Sequence, residues 1–294
     1  MLSVAYYWPI QEAYHPLNSD WNGSSKIAKT TQNLTLLLSY DRSLPNGTAL
    51  LAIIGPSTEF SRDESSKIRG FLETGGTVLL ADDFGTGNSL LGALNVSALF
   101  SKKPLADLYY YSKDHSFPLI TDFSPNPATG NLTMIVLNRP SYIELGNSSQ
   151  VTRLASSSPF SFIDLSGENR PSANETIDSY PVMAGAKIGR GTLVLISDPS
   201  MFVNEMIDLY DNMQLFRNLL GIGHGSLFFD VAHLSRAPLT DWRIMLKGAL
   251  DSVHVFVFSS ENHIYVQSII VAFALGLVFS LELIRRRKRQ WRRG

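Results

Sequence analysis

The sequence predicts an α/β layered domain followed by one C-terminal transmembrane helix. Short apolar runs bounded by glycine, proline and asparagine alternate with helical patterns, which is typical of layered α/β domains. A long apolar stretch that ends in a run of cations predicts the transmembrane helix. The chain has 294 residues, of which 44% are hydrophobic and 17% are charged, so it can bury a substantial core.

Strands and helices are predicted to alternate in the first hundred residues. Ser61 and Glu64 form a capping box at the start of a helix that Gly75 and Gly76 end. The segment NSLLGAL at 88–94 begins a second helix. Three continuous apolar runs predict buried strands of the parallel type: 34–40, 48–55 and 76–83.

The middle of the chain, about 101–180, is predicted to be rich in short strands, with Tyr109–Tyr111 among them. Residues 180–200 predict a hairpin that turns at Gly189-Arg190-Gly191, and its apolar second arm is expected to return to the central sheet. Two helical turns and a helix closed by glycine follow. The predicted domain spans 24–222, and a membrane-proximal region spans 223–263.

The apolar segment from Ile264 to Ile284 predicts the membrane span. Its 21 residues give a helix of about 31 Å, the thickness of one bilayer hydrocarbon core. Seven cations follow in the basic tail, 285–294, which the positive-inside rule places in the cytoplasm. Residues 1–263 are then extracytoplasmic, at the plasma membrane. A buried core helix beside a solvated charge run is the alternative.

Asparagine-linked glycosylation signals agree with this orientation. Seven of the sixteen asparagines begin an Asn-x-Ser/Thr motif, and all seven precede the predicted span. They are Asn22, Asn33, Asn46, Asn95, Asn131, Asn147 and Asn174. The chain has no cysteine, so no disulfide supports the domain.

The charge balance and the N-terminal segment each lead to one further expectation. Without the basic tail the chain carries 18 basic and 26 acidic residues, a balance that argues against nucleic-acid binding. The segment 1–23 has no basic start and too short an apolar run for an export signal. We expect a signal or a first span upstream of it.

The loop that follows the strand at 76–83 is the first candidate ligand site. Ligands of open α/β sheets bind at the carboxyl ends of the strands. The residues concerned are Asp82, Asp83, Gly85, Gly87, Asn88 and Ser89. In the structural interpretation, which we favour, the glycines permit a tight turn and an aspartate caps the next helix.

A second loop, 197–212, also follows a predicted strand and could approach the first across the sheet edge. Asp198 and Asn204 are its candidate ligand residues, with Ser200, Asp211 and Asn212 nearby. Oxygen ligands of this kind suit a divalent cation. Helix capping and loop hydrogen bonding are the favoured alternative, so no metal and no cofactor are assigned.

Enzymatic activity is not expected. The chain lacks a cysteine nucleophile and a G-x-S-x-G elbow, and its six histidines show no HExxH motif. A carboxylate-based hydrolase built on Asp82 or Asp83 with Asp198 is the least favoured alternative. No catalytic residue is assigned.

Five segments in their order and spacing resemble an archaeal family of membrane-anchored proteins with a glutamine-amidotransferase-like domain, a family of unknown function. They are WNGSS (21–25), IIGPSTEFSRDE (53–64), FLETGGTVLLADDFGTGNSLL (71–91), YPVMAGAKIGRGTLVLISDPSMFVNEM (180–206) and DNMQLFRNLL (211–220). The resemblance covers about 14–222 and implies a flavodoxin-like sheet with a β-rich insertion. Class I amidotransferases use a Cys-His-Glu triad, which a chain without cysteine cannot form.

Residues 52–91 are also remotely similar to the amidotransferase-like luminal subunit of the eukaryotic oligosaccharyltransferase. That subunit has a similar layout, with an exported domain, one C-terminal span and a short basic tail. The resemblance implies a non-catalytic accessory subunit of a membrane complex, with a multi-span oligosaccharyltransferase catalytic subunit as the partner. The alternative is an extracytoplasmic module that binds a sugar, nucleotide or cation at the sheet edge.

Overall fold

The computed structural model describes residues 10–41, 44, 47–147, 149–168, 170–171 and 175–235. Within them lie fifteen strands: β1 (Asn33–Leu37), β2 (Leu50–Ile54), β3 (Thr77–Ala81), β4 (Ala98–Phe100), β5 (Leu105–Asp107), β6 (Leu119–Ile120), β7 (Asp122–Phe123), β8 (Ile135–Val136), β9 (Ile143–Leu145), β10 (Val151–Ser156), β11 (Ser161–Ile163), β12 (Ile177–Asp178), β13 (Pro181–Ile188), β14 (Gly191–Ile196) and β15 (Ser226–Asp230). The α-helices of the same residues are α1 (Ser25–Ala28), α2 (Arg62–Glu73), α3 (Gly87–Ala93) and α4 (Asn212–Ile222), and short 3-10 helices span Pro127–Thr129 and Pro199–Phe202.

Eight strands form the central sheet in the order β1-β15-β2-β3-β14-β13-β10-β7. The first five are mutually parallel, and the last three join them in antiparallel pairs. This confirms a mixed α/β fold with a large central sheet. The finer prediction of a flavodoxin-like sheet is not confirmed. The last of the described strands, β15, lies between β1 and β2 rather than at an edge as in the flavodoxin order.

The central strands are buried on both faces. Every residue of β2 and β3 is buried, as predicted from their unbroken apolar runs. The run at 34–40 was expected to be equally buried, but β1 is partly exposed along its length. The reason is its position: among the described strands, β1 lies at the edge of the sheet and pairs with β15 alone.

Helices cover both faces of the sheet. Ile68 and Phe71 of α2 and Leu90 of α3 share one buried cluster with Leu51 and Leu80 of the sheet. Helix α4 also contacts β2 and β3, and its buried side chains lie outside that cluster, so it covers the opposite face. The predicted capping box of α2 is present: Ser61 Oγ accepts the Glu64 N–H, and the Glu64 carboxylate accepts the Ser61 N–H.

The predicted hairpin is confirmed. Strands β13 and β14 pair from Met183↔Ile196 to Ile188↔Gly191 and turn through Gly189 and Arg190. Gly189 has a φ of +57°, a conformation that favours glycine. The second arm, β14, returns to the sheet as a parallel neighbour of β3.

The β-rich middle consists of short strands, as predicted, but Tyr109–Tyr111 is not one of the named strands. The N–H groups of Tyr109 and Tyr110 donate instead to the Asp107 carboxylate, and Tyr111 forms only an isolated bridge with Pro118. A side-chain acceptor thus replaces the strand partner that the apolar pattern suggested.

The region after residue 222 contributes to the sheet. The predicted membrane-proximal region, 223–263, includes Ser226–Asp230, which forms β15 between β1 and β2. The predicted span, Ile264 to Ile284, and the tail lie outside the described residues. Among the helices that the structure describes, none has the length and apolar character needed to cross a bilayer.

Candidate functional site

The loop after β3 is organised around the Asp82 carboxylate. Asp82 is 1% exposed, and its two oxygens accept the N–H groups of Gly85 at 2.9 Å and Gly87 at 2.7 Å. A Cβ atom at Gly85 or Gly87 would lie within 2.7 Å of the Asp82 side chain, so only glycine fits at both positions. Asp82 therefore acts as the predicted cap of the strand-to-helix corner.

Asn88 and Ser89 have internal partners as well. The Asn88 amide bonds to both backbone groups of Phe100, at 2.9 and 3.0 Å, and so fixes β4 beside α3. Ser89 Oγ donates to the Thr86 carbonyl and accepts the Phe60 N–H. Their polar groups hold neighbouring segments in place.

Asp83 differs from its neighbour. It accepts one hydrogen bond, from the Phe84 N–H at 2.6 Å, and is only partly exposed. Burial, with the charge of Asp82 as a further cause, raises the pKa of Asp83 from 3.8 to about 7. A carboxyl group that titrates near neutral pH is a frequent feature of functional sites.

Asp198 ends β14 beside this loop, as the sequence predicted. It is fully buried, and its oxygens accept the N–H groups of Ser200 and Asn138, each at 2.6 Å. Burial and the nearby charge of Asp83 raise the pKa of Asp198 well above 3.8. Burial raises the pKa of Asp82 as well. We call Asp82, Asp83 and Asp198, three carboxyl groups with raised pKa values, the acidic edge.

Tyr14 is a member of this edge that the sequence analysis missed. Its hydroxyl lies 3.3 Å from Ser200 Oγ, and its ring covers Gly55 at the end of β2. Burial raises the pKa of Tyr14 to about 12, and the charges of Asp83 and Asp198 act in the same direction. Tyr14 has a φ of +61°, and no sequence pattern in the irregular segment 1–23 signals this role.

The other residues of the second loop serve separate contacts. Asn204 binds the N-terminal segment: its amide donates to the carbonyls of Asn18 and Asp20 and accepts the Lys26 N–H at 2.9 Å. Asp211 accepts the N–H of Thr133 at 2.7 Å. Within the part of the chain that the structure describes, no cluster of three or more His, Cys, Asp or Glu side chains could hold a metal ion.

A buried histidine is a second feature that the sequence analysis missed. His233 was assigned to the membrane-proximal part, but it is 3% exposed and stacks on Phe60 with ring centres 3.7 Å apart. Its Nδ1 lies 2.7 Å from Asp230 Oδ2, and its Nε2 lies 3.6 Å from Glu64 Oε2. Burial lowers the pKa of His233, but Asp230 and Glu64 together outweigh it and raise the pKa.

The glycosylation candidates lie mostly at the surface. Asn33, Asn95, Asn131 and Asn147 are exposed, whereas Asn22 is half-buried and its side chain accepts a hydrogen bond from Asn18. Asn46 and Asn174 fall outside the described residues. Exposure is compatible with glycan attachment and leaves occupancy a prediction.

Solved structures resemble this chain only loosely. The structure titled mmIFT52 N-terminal domain has a TM-score of 0.46 at 16% identity and covers 59% of this chain and 76% of its own. A β-galactosidase from Bacillus circulans sp. alkalophilus has a TM-score of 0.37 at 11% identity, covering 60% of this chain and 23% of its own. An exo-β-1,4-mannosidase, Op5Man5 from Opitutaceae bacterium strain TAV5, has a TM-score of 0.34 at 12% identity, covering 67% and 28%.

Sequence comparison gives the family. No curated protein matches the chain. One family model matches residues 16–220, which is more than half of the chain and includes the whole acidic edge from Asp82 to Asp198. Neither result points to a glutamine amidotransferase or an oligosaccharyltransferase subunit. The chain belongs to the family described as the domain of unknown function DUF4350.

Proposed function

We propose that this chain is a non-catalytic, membrane-anchored, extracytoplasmic accessory subunit of a membrane protein complex. One observation carries the proposal: three exposed aromatic side chains stand together in the β-rich region. Tyr109 is 71% exposed, Tyr110 46% and Phe160 41%. We call these three residues the aromatic patch. Exposed apolar clusters of this kind mark protein interaction sites, where aromatic residues supply most of the binding energy.

The aromatic patch is fixed from below by Asp107. This fully buried carboxylate accepts the N–H groups of Tyr109 and Tyr110 on one oxygen and the hydroxyls of Ser158 and Ser161 on the other. It thereby joins the two segments that present the aromatic rings. Phe160 packs edge-on against Tyr109, with ring centres 5.1 Å apart. A surface held rigid before binding loses little entropy when a partner docks.

The predicted ligand loop also favours a non-catalytic role, because several of its polar side chains bond to the fold itself. Asp82, Asn88 and Ser89 all direct their polar groups to backbone atoms of the fold. The more specific form of the proposal is an oligosaccharyltransferase accessory subunit, which rests on the resemblance of residues 52–91 and on the predicted layout of domain, span and basic tail.

The test is a pull-down of the tagged full-length chain from native membranes in mild detergent, with the bound proteins identified by mass spectrometry. We expect stoichiometric recovery of a multi-span glycosyltransferase with the wild type and its loss with the double variant Tyr109→Ser/Tyr110→Ser. Tyr210→Ser, which changes a tyrosine that is 52% exposed outside the patch, is the matched control. Recovery of the wild type alone, as a monodisperse monomer, would overturn the proposal.

A second candidate function is ligand binding at the acidic edge, and the half-buried carboxyl group of Asp83 favours it. Asp83 accepts a single hydrogen bond from the backbone, so it can accept more from a bound molecule. If this function is correct, Mg²⁺, Ca²⁺ or a monosaccharide will raise the melting temperature of the wild type and not that of Asp83→Asn. Identical melting with and without these probes would exclude it.

A further inference from the structure

A cavity opens on one face of the central sheet, where β1, β15 and the start of β2 lie side by side. Its volume is about 510 Å³, and small-molecule sites usually measure about 300 to 1,000 Å³. The residues on which its chemistry depends are Asn33, Thr35, Thr48, Ser226 and Phe228. It therefore lies at the amino ends of these strands, at the opposite end of the sheet from the acidic edge.

The strand register decides which side chains face this cavity. Ser226 and Phe228 line it, whereas Leu227 between them does not. Because successive side chains of a strand point to opposite faces, the cavity lies on the face to which Ser226 and Phe228 point. Their Cα partners in the parallel pairing with β1 are Asn33 and Thr35, whose side chains point to the same face. Asn33 and Thr35 therefore present their side chains to the cavity.

The polar groups on this face are available to a ligand. Asn33, Thr35 and Thr48 are exposed. Among the residues that the structure describes, none forms a hydrogen bond with the Asn33 amide or with the hydroxyls of Thr35, Thr48 and Ser226. None of the described residues that line the cavity is charged. Amide and hydroxyl groups without a nearby charge suit a neutral ligand that both donates and accepts hydrogen bonds.

Phe228 supplies an apolar surface to the same cavity. It is half-buried and packs against the core cluster that contains Ala49 and Leu51, so the core fixes its position. An apolar wall beside a few free polar groups is the usual composition of ligand sites. A sugar ring matches this composition, because its faces carry C–H groups and its rim carries hydroxyl groups.

The cavity shares a wall with a glycosylation motif. Asn33 and Thr35 are the first and third residues of Asn33-Leu34-Thr35, and both line the cavity. Asn22 differs, because its side chain already accepts a hydrogen bond from Asn18. Asn95 and Asn131 are exposed but do not line this cavity. A sugar linked to Asn33 is held beside the cavity by its own covalent bond, so it loses little entropy when it settles there.

We propose that Asn33 carries an asparagine-linked glycan and that this cavity holds the first sugar of the glycan, a neutral pyranose, against Phe228. A separate glycosyltransferase attaches the glycan from a lipid-linked glycosyl phosphate. The Asn33 Nδ2 forms a bond to C1 of the sugar and loses one proton to solvent, while the bond from C1 to the phosphate oxygen breaks and the phosphate leaves with its electron pair. The inference rests on the proposed extracytoplasmic location, since such glycans mark exported chains.

Glycopeptide mass spectrometry of the full-length chain from native membranes tests the attachment. We expect a neutral first sugar on Asn33 in the wild type and in Thr35→Ser, which keeps the motif, and an unmodified Asn33 in Thr35→Ala, which removes it. An unmodified Asn33 in the wild type, or a charged first sugar, would overturn the inference. Glycans on Asn95 or Asn131 in that sample would leave the extracytoplasmic location standing, whereas a sample without any glycan would count against the location as well.

Thermal unfolding of the full-length chain in mild detergent tests whether the sugar occupies the cavity. Thr35→Ser and Thr35→Ala differ by one hydroxyl and by the glycan, and the same pair made in cells without asparagine-linked glycosylation measures the hydroxyl alone. We expect Thr35→Ala to melt about 2 to 4 °C below Thr35→Ser when both come from native membranes, and a smaller difference without glycosylation. An equal difference from both sources would show that the glycan stays in solvent.

Phe228→Leu tests the contact with the aromatic ring. Leucine keeps an apolar side chain against the core and removes the ring. In this background the glycan-dependent difference in melting temperature between Thr35→Ser and Thr35→Ala should fall by at least half. Phe160→Leu, which changes a phenylalanine that is 41% exposed outside the cavity, is the matched control and should leave the difference unchanged. The full difference in Phe228→Leu would overturn the placement of the sugar against this ring.

Discussion

Asp82 and Asp83 are adjacent in the sequence and have different chemical environments. The Asp82 carboxylate accepts two N–H groups of its own loop, whereas Asp83 accepts one and faces the buried Asp198. The direction of each side chain from the end of β3 decides this, because successive residues of a strand point to opposite faces. Burial raises the pKa of both, but two backbone N–H groups of the loop stabilise the charged form of Asp82, whereas one stabilises that of Asp83.

Stability should depend on pH through Asp83. Its pKa in the folded chain, about 7, lies above the unfolded value of 3.8, so the folded state keeps this proton longer. The stabilisation is complete below about pH 4 and is lost as the pH rises towards 7. Asp83→Asn, which cannot ionise, should therefore gain stability over the wild type as the pH increases.

Urea unfolding of the wild type and Asp83→Asn at pH 5 and pH 8 measures this effect. The advantage of Asp83→Asn should be larger at pH 8, and Asp83→Ala should show the same trend because it also lacks the titrating group. A difference that stays constant between the two pH values would mean that Asp83 ionises in the folded chain as it does in water.

At the scale of elements, local rules predicted the helices and the hairpin well. The capping box of α2, the turn at Gly189 and the corner at Asp82 each depend on residues within five positions of one another. Contacts between distant segments gave no local signal. Tyr14 meets Ser200 across 186 positions, and His233 meets Phe60 and Glu64 only because β15 inserts beside β2.

The N-terminus of α2 should respond differently to the loss of each capping partner. Ser61→Ala removes one acceptor and should cost about 1 kcal/mol. Glu64→Ala should cost more, because the same carboxylate also lies 3.6 Å from His233 Nε2. The excess should shrink as the pH rises above the raised pKa of His233, where the imidazole loses its charge.

Urea unfolding at pH 6 and at pH 9 would measure this difference. Asp63→Ala is the control, because Asp63 is highly exposed, forms an ion pair with Lys67 and should contribute less than about 1 kcal/mol. Equal costs for Ser61→Ala and Glu64→Ala at both pH values would show that the contact between Glu64 and His233 adds no stability.

At the scale of the whole molecule, the sequence predicted the α/β class and the return of the second hairpin arm to the central sheet, but not the position of β15. Residues 226–230 read as the start of another region, because nothing local distinguishes a strand that completes a sheet from one that begins a subdomain. Strand order is determined by packing over the entire chain. The family match, which ends at residue 220, stops short of β15 as well.

Truncation distinguishes the two domain boundaries. A chain that ends at residue 237 keeps β15 and His233, and the compact unit that contains them spans Pro9–Ala237. We expect it to fold, with a cooperative urea transition. A chain that ends at residue 222 lacks β15, which in the described part of the sheet is the one neighbour of β1 and one of the two neighbours of β2. A cooperative transition in the shorter chain would contradict the placement of β15.

The insertion of β15 also determines when the sheet can form during synthesis. Asn33 of β1 pairs with Ser226, which is 193 positions later in the chain. At about 5 to 20 residues per second, a ribosome needs roughly 10 to 40 seconds to make that segment. Throughout this interval β1 has no strand to join, and the adjacent edge of β2 stays uncovered. A nascent chain therefore exposes the edges of β1 and β2 that β15 covers until nearly the whole domain has been synthesised.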